Sequence, residues 1–242
     1  MYEYFLPCLI IAFARFTQGF SGFGFVLVAL PWLTLLLPIK TVVPLLNLMF
    51  CCINLVLMVH LRRHLQWSRV IPLLLASLFG IPLGVYFLKT VASWKLELLL
   101  GAVLIGFPFY YRYANLSTLR LHPGWALLAG FCAGCLGGSL GTYAPPIVVY
   151  AALQPWNKDE IKATLVAFFS IASLGTFGLQ AYGGLVTAKV VTMALWSIPF
   201  LALGVFCGSF CYGKTASENY RRVITAMLVA MGLLLIGKAA LG

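Results

Sequence analysis

Hydrophobic positions along the chain form long runs in which polar residues are rare. The runs from Val70 to Leu88 and from Val223 to Ile236 are apolar on every helical face. Alternating strand-like segments of about ten residues are absent from the sequence. At about 1.5 Å per helical residue, the runs are long enough to reach across a hydrocarbon core of roughly 30 Å. The pattern predicts an all-α polytopic membrane protein.

The apolar runs and the glycine, proline and charged residues between them predict eight hydrophobic segments. We place these segments at about 4–37, 41–60, 68–88, 94–111, 124–153, 160–181, 187–211 and 219–239. The segments 4–37 and 124–153 are too long for one simple crossing, and each contains a glycine cluster followed by proline. We therefore expect a break in each of these two helices.

The two glycine clusters lie at corresponding places in two halves of the chain. A shift of 115 residues superposes Gly19 on Gly134, Gly22 on Gly137, Ala29 on Ala144 and Pro31 on Pro146. Each half then has a helix with two glycines four residues apart, at Gly80 and Gly84 or at Gly204 and Gly208, a spacing that favours close helix packing. We predict one transmembrane domain over 1–242, with repeat one at about 4–112 and repeat two at about 124–240.

The distribution of lysine and arginine favours broken segments that turn back inside the membrane. If both broken segments cross, the basic residues outside segment one divide seven to eight between the two sides. If both are re-entrant, ten of these residues fall on one side and five on the other, as the positive-inside tendency predicts. Three full crossings per half then make the repeats inverted. Both termini are expected outside the cytoplasm.

Composition excludes several classes of function. Because 62% of the residues are hydrophobic and only 9% are charged, a soluble domain is excluded. The net charge of +11 reflects basic loops between apolar spans rather than a nucleic-acid-binding face. The five acidic residues lie at segment ends or in loops, which disfavours a cation carrier. We expect no metal site and no cofactor, and we interpret the seven cysteines, including Cys132 and Cys135, as packing residues.

The breaks predict an anion-binding site. A helix that begins at membrane depth presents free N–H donors and a partial positive charge, and glycine lets a ligand approach the backbone closely. Arg15 is the only cation deep in an apolar segment. Hydroxyl and amide side chains beside the breaks are donors suited to oxyanions. The candidate substrate-binding residues are Arg15, Thr17, Gln18, Gly19, Ser21, Gly22, Gly24, Asn47, Asn54, Gly134, Gly137, Gly138, Ser139, Gly141, Thr142 and Ser170.

Other interpretations of these residues stay open at this point. Asn47, Asn54 and Ser170, with Ser173 and Thr176, are equally suited to interhelical hydrogen bonds. A glycine-lined pore with positive helix ends would serve an anion channel as well as a carrier. A structural membrane protein is a weaker alternative. An intramembrane enzyme is disfavoured because Ser139 has no histidine base near it in sequence and no catalytic residues are recognised.

The glycine clusters at 19–24 and 134–141, each followed by proline, resemble the motifs of the TauE/SafE sulfite exporter family, also called the toluene sulfonate uptake permeases. The similarity covers nearly the whole chain. The resemblance implies an inner-membrane carrier of bacterial type for sulfite, sulfonates or related small organic anions. Its expected partners are that anion and membrane lipid, without nucleic acid, and homo-oligomerisation is left open. The first cluster departs from the family pattern because Phe23 and Phe25 flank Gly24.

Overall fold

A computed structural model describes residues 2–21, 25–61, 65–113, 124–211, 229–237 and 239. Throughout this part of the chain the regular structure is helical, as predicted. The helices are α1 (Tyr2–Ser21), α2 (Phe25–Thr34), α3 (Ile39–Leu61), α4 (Trp67–Thr90), α5 (Ser93–Tyr113), α6 (Gly124–Leu140), α7 (Ala144–Ala152), α8 (Lys158–Tyr182), α9 (Ala188–Cys211) and α10 (229–237).

Each predicted hydrophobic segment contains helix, and each of the two long segments contains two helices. The segment 4–37 holds α1 and α2, and the segment 124–153 holds α6 and α7. Two helices of the described part are long and apolar enough to cross a membrane: α4, and α8 from Glu160 to Tyr182. α2 has 10 residues and α7 has 9, which at about 1.5 Å per residue is too short for a crossing. The number of crossings, the inverted repeats and the re-entrant geometry stay predictions.

The described helices belong to two compact units, each built from segments that are distant in sequence. Unit 1 comprises Met1–Leu46, Ala92–Arg112 and Val186–Gly242. Within it α1 packs against α2 and α9. A Cβ atom added at Gly204 would lie 2.5 Å from the carbonyl oxygen of Ala12, so α1 and α9 approach closely at this glycine. The packing role predicted for Gly204 is confirmed.

Unit 2 comprises Asn47–Val91 and Tyr113–Leu185, and its most extensive contact joins α4 to α6. Glycines from both helices meet in this contact, backbone against backbone. A Cβ atom on Gly84 would lie 2.9 Å from the Cα of Gly138, and one on Gly138 would lie 2.6 Å from the carbonyl oxygen of Ile81. The packing role predicted for Gly80 and Gly84 is confirmed. Such close approach stabilises a helix pair through van der Waals contact in the absence of a water-driven hydrophobic effect.

Candidate functional site

The break between α6 and α7 is built around one glycine in the left-handed region. Gly141 has φ of 68°, and its N–H donates to the carbonyl oxygen of Gly137 over 2.9 Å. Glycine adopts this conformation without the steric cost that other residues bear. The predicted break in the segment 124–153 is therefore confirmed at residues 141–143. It leaves Thr142 and Tyr143 as buried, non-helical residues between two helix ends.

The start of α7 offers fewer backbone donors than an ordinary helix. The first four N–H groups of a helix have no partner inside it. Pro145 and Pro146 occupy two of these four positions in α7 and carry no N–H. The partial positive charge of the helix end remains, but any ligand at this helix end would depend on side-chain donors more than on backbone N–H groups.

Tyr143 joins the break to α3 and, through it, to α8. The hydroxyl of Tyr143 donates to Asn47 Oδ1 over 3.1 Å. Asn47 Nδ2 in turn donates to the carbonyl oxygen of Ser173 over 3.3 Å and to Gln180 Oε1 over 3.2 Å. All four residues are buried. The structure thus brings Asn47 to α8, in the interhelical hydrogen bonding that the sequence left as one of two interpretations.

Aromatic rings surround the Tyr143 side chain. Its ring stacks on Phe50 with centroids 6.1 Å apart, and it lies 6.3 Å from Phe168 and 6.2 Å from Phe169. Gly137 is next to this ring, and any Cβ atom there would collide with it. Gly137 is therefore required for Tyr143 to occupy its position, a packing reason that adds to the predicted role in ligand binding.

Several other predicted hydroxyl and amide residues bond within their own helices. Ser139 Oγ donates to the carbonyl oxygen of Cys135 over 2.7 Å, and Ser170 Oγ donates to that of Val166 over 2.7 Å. Asn54 Nδ2 donates to the carbonyl oxygen of Phe50 over 2.8 Å. These bonds satisfy one donor of each side chain. Their predicted role in binding a substrate stays a prediction.

Gly134 and Gly138 lie in the packed contact of α6 with α4. A Cβ atom on Gly134 would lie 2.9 Å from both the backbone nitrogen of Ile81 and the carbonyl oxygen of Ser77. With Gly130, these residues form a row of glycines spaced four apart along α6. Sequence analysis identified this spacing in α4 and α9 but not in α6, although the sequence of α6 contains it. Their role at the substrate stays a prediction.

In unit 1, Arg15 is fully buried in α1. Its Cζ lies 3.5 Å from the centroid of the Phe25 ring, at the start of α2. The guanidinium group thus stacks on an aromatic face, which favours a buried cation. The pairing of Arg15 with Phe25 joins α1 to α2, on either side of the break predicted in the segment 4–37, and sequence analysis missed it.

The remaining candidates of the first break are described only in part. Thr17, Gln18, Gly19 and Ser21 belong to the final turns of α1, and their side chains are outside the described part. Gly22 and Gly24 lie outside the described residues. α1 ends at Ser21 and α2 begins at Phe25, and the break predicted between them stays a prediction.

Comparison with known proteins adds the family. A family model described as "Sulfite exporter TauE/SafE" matches residues 7–235, a range that includes both breaks. A curated relative from Cupriavidus necator, described as "Probable sulfite/organosulfonate exporter TauE", is 24% identical over 241 residues. The alignment covers 95% of this chain and 94% of the relative. No solved structure matches the chain.

Proposed function

Because the chain belongs to the TauE/SafE sulfite exporter family, we propose that it carries sulfite, sulfonates or related small organic anions across a bacterial inner membrane by alternating access. The coarser conclusion, an integral membrane transporter rather than an enzyme, follows from the family and from the apolar helices. The choice of substrate is supported by the description of the relative, a probable exporter of sulfite and organosulfonates.

The observation that carries the proposal is the burial of Arg15. A guanidinium group is positively charged at all physiological pH values, and placing a charge in the apolar interior of a membrane protein is costly. The Phe25 ring lowers that cost in part. An anion that binds near the guanidinium would lower it further, because attraction between opposite charges is strong where water is excluded. A buried arginine therefore favours an anion carrier over a cation carrier.

The residues of the second break complete the proposal with neutral donors. Thr142 is buried beside Gly141, and its hydroxyl is suited to an oxyanion oxygen. We assign to substrate contact the candidates predicted from the sequence around both breaks. Two inverted repeats, with both termini outside the cytoplasm, are part of the same proposal and follow from the distribution of basic residues.

The test is uptake of radiolabelled sulfite into proteoliposomes that contain the purified protein. Taurine, thiosulfate, sulfate and acetate are added separately as competitors. We expect saturable uptake that a sulfur oxyanion or sulfonate blocks and acetate does not. Arg15→Ala is expected to abolish uptake, whereas Lys189→Ala, which removes an exposed cation at the start of α9, is the matched control and is expected to leave uptake unchanged.

Two results would overturn the proposal. The first is wild-type protein that inserts normally and takes up none of these anions. The second is Arg15→Ala protein that transports sulfite as well as wild-type protein does. Flux that rises linearly with concentration and supports single-channel currents would replace the carrier with an anion channel.

A further inference from the structure

The buried face of α8 carries a line of polar side chains. Its members are spaced three or four residues apart, as one helical face requires, and all are fully buried. They are Ser170, Ser173, Thr176 and Gln180. Sequence analysis recognised the first three, and Gln180 continues the same spacing by one turn. A polar face of this length, buried in an apolar protein, needs hydrogen-bond partners for each of its groups.

The donor and acceptor atoms of the side chains on this face can be assigned from a single backbone carbonyl. The backbone carbonyl of Ser173 only accepts, so the side-chain atom of Asn47 that contacts it is Nδ2. The other atom, Oδ1, then faces the Tyr143 hydroxyl, which donates to it. Asn47 Nδ2 also donates to Gln180, and the Gln180 atom that contacts it is therefore Oε1. A single backbone carbonyl thus fixes the orientation of both amides.

With the donors and acceptors assigned in this way, one side-chain donor of the network has no partner in the part of the chain that the structure describes. Gln180 Nε2, which carries two N–H groups, is buried and has no hydrogen-bond partner among the described residues. One turn earlier, Thr176 Oγ1 is also buried without a hydrogen-bond partner among the described residues. Ser170 and Ser173 do bond back to carbonyl oxygens of α8. Residues 176 and 180 are neighbours on the helix surface, four positions apart.

The backbone beneath Gln180 is held by the end of α8. Leu185 N donates to the carbonyl oxygen of Gln180 over 2.9 Å, and Gly184 N donates to that of Ala181 over 3.0 Å. Gly184 has φ of 74°, so the two bonds form the helix-ending motif that places glycine in the left-handed region. Gln180 is therefore held at two points. Its backbone carbonyl accepts from Leu185 N at the end of the helix, and its side-chain Oε1 accepts from Asn47 Nδ2.

We propose that Gln180 Nε2 and Thr176 Oγ1 form a subsite that receives an oxygen atom of the transported anion. The inference rests on the proposed function and assigns it a specific contact. A buried amide N–H without a partner keeps the full desolvation penalty of its burial, so an acceptor at this position is strongly favoured. Oxyanions of sulfur offer several acceptor oxygens, whereas a metal or ammonium cation offers none. Both atoms are inaccessible in this conformation, so the anion enters when the carrier opens.

Substitutions at Gln180 test the role of Nε2, which has no partner among the described residues, against that of Oε1, which accepts from Asn47. Gln180→Glu keeps an oxygen for Asn47 and a similar shape, and it replaces the free amide nitrogen with a carboxyl oxygen. Gln180→Met removes the free donor without adding a charge, and it also removes the oxygen that accepts from Asn47 Nδ2. Thr164→Val is the matched control, because Thr164 is a buried hydroxyl residue of the same helix outside the network. The three variants and wild-type protein are compared by uptake of radiolabelled sulfite and of taurine into proteoliposomes.

We expect the half-saturating concentration of sulfite to rise at least tenfold in Gln180→Glu and in Gln180→Met, and to stay within twofold of wild type in Thr164→Val. Wild-type half-saturation in both Gln180 variants would overturn the subsite. That result leaves the proposed function standing, whereas absence of uptake by wild-type protein removes the proposed function itself.

A second variant keeps the inference testable if the Gln180 variants fail to reach the membrane. Thr176→Val preserves the shape of the side chain and removes the hydroxyl. We expect a higher half-saturating concentration of sulfite with normal membrane insertion. An unchanged value would contradict the subsite.

Discussion

Replacing Gly84 with alanine tests the close approach of α4 and α6. A Cβ atom at this position would lie 2.9 Å from the Cα of Gly138, and closer still to the carbonyl oxygen of Cys135. Carbon atoms in contact prefer a separation of about 3.5–4.0 Å, so the two backbones have to move apart by roughly 0.6 Å or more. These are backbone atoms of a helix, and they cannot turn aside as a flexible side chain can.

The expected effect follows from two opposing terms. Overpacking of this kind costs typically about 1–3 kcal/mol. Alanine is preferred to glycine inside a helix by about 0.5–1 kcal/mol. The packing term is larger, and we expect Gly84→Ala to lower the free energy of unfolding by about 1–2 kcal/mol.

The assay is equilibrium unfolding of the purified protein by sodium dodecyl sulfate in mixed micelles, followed by tryptophan fluorescence. Gly175→Ala is the matched control, because Gly175 lies inside α8 and an added Cβ would have no atom within 4 Å apart from the adjacent backbone of its own helix. The control should be as stable as wild-type protein or more stable. If Gly84→Ala were as stable as Gly175→Ala, the claim that glycine is required at the α4–α6 contact would be refuted.

Three further variants test other contacts by the same unfolding assay. Tyr143→Phe removes the donor to Asn47 Oδ1, and we expect a loss of about 1 kcal/mol; wild-type stability would show that the bond is dispensable. Gly184→Ala forces an alanine to φ of 74°, and we expect a loss of about 1–2 kcal/mol although no atom lies near the added Cβ; no loss would refute the strain. Phe25→Leu removes the ring under the Arg15 guanidinium, and we expect a loss of about 1–2 kcal/mol; a gain would argue against that contact.

The sequence predicted the helices and the second break because both depend on local chemistry. Long apolar runs form helices in a membrane, and a glycine cluster followed by Pro145 and Pro146 interrupts one. The structure places the interruption at Gly141, whose positive φ is the physical reason for glycine there. The packing role of Gly80 and Gly84 was predicted in the same way, from spacing alone.

The partners of the buried side chains were beyond sequence analysis. Tyr143 and Asn47 are 96 residues apart, and no local pattern pairs them. Glycines in a broken helix have two physical explanations, approach of a ligand and approach of another helix. At Gly138 the backbone of Ile81 lies so close that the approach of another helix already requires glycine, and only the contact itself reveals this. The role of Gly138 at the substrate stays a prediction.

The central claim, carriage of sulfur oxyanions, is tested most directly by counterflow. Proteoliposomes preloaded with unlabelled sulfite are diluted into a trace of radiolabelled sulfite, without an imposed ion gradient. A carrier that exposes one site alternately predicts a transient accumulation of label inside above the outside concentration, abolished in Arg15→Ala. Label that never exceeds its level in protein-free liposomes would contradict sulfite transport, and equilibration without accumulation would contradict alternating access.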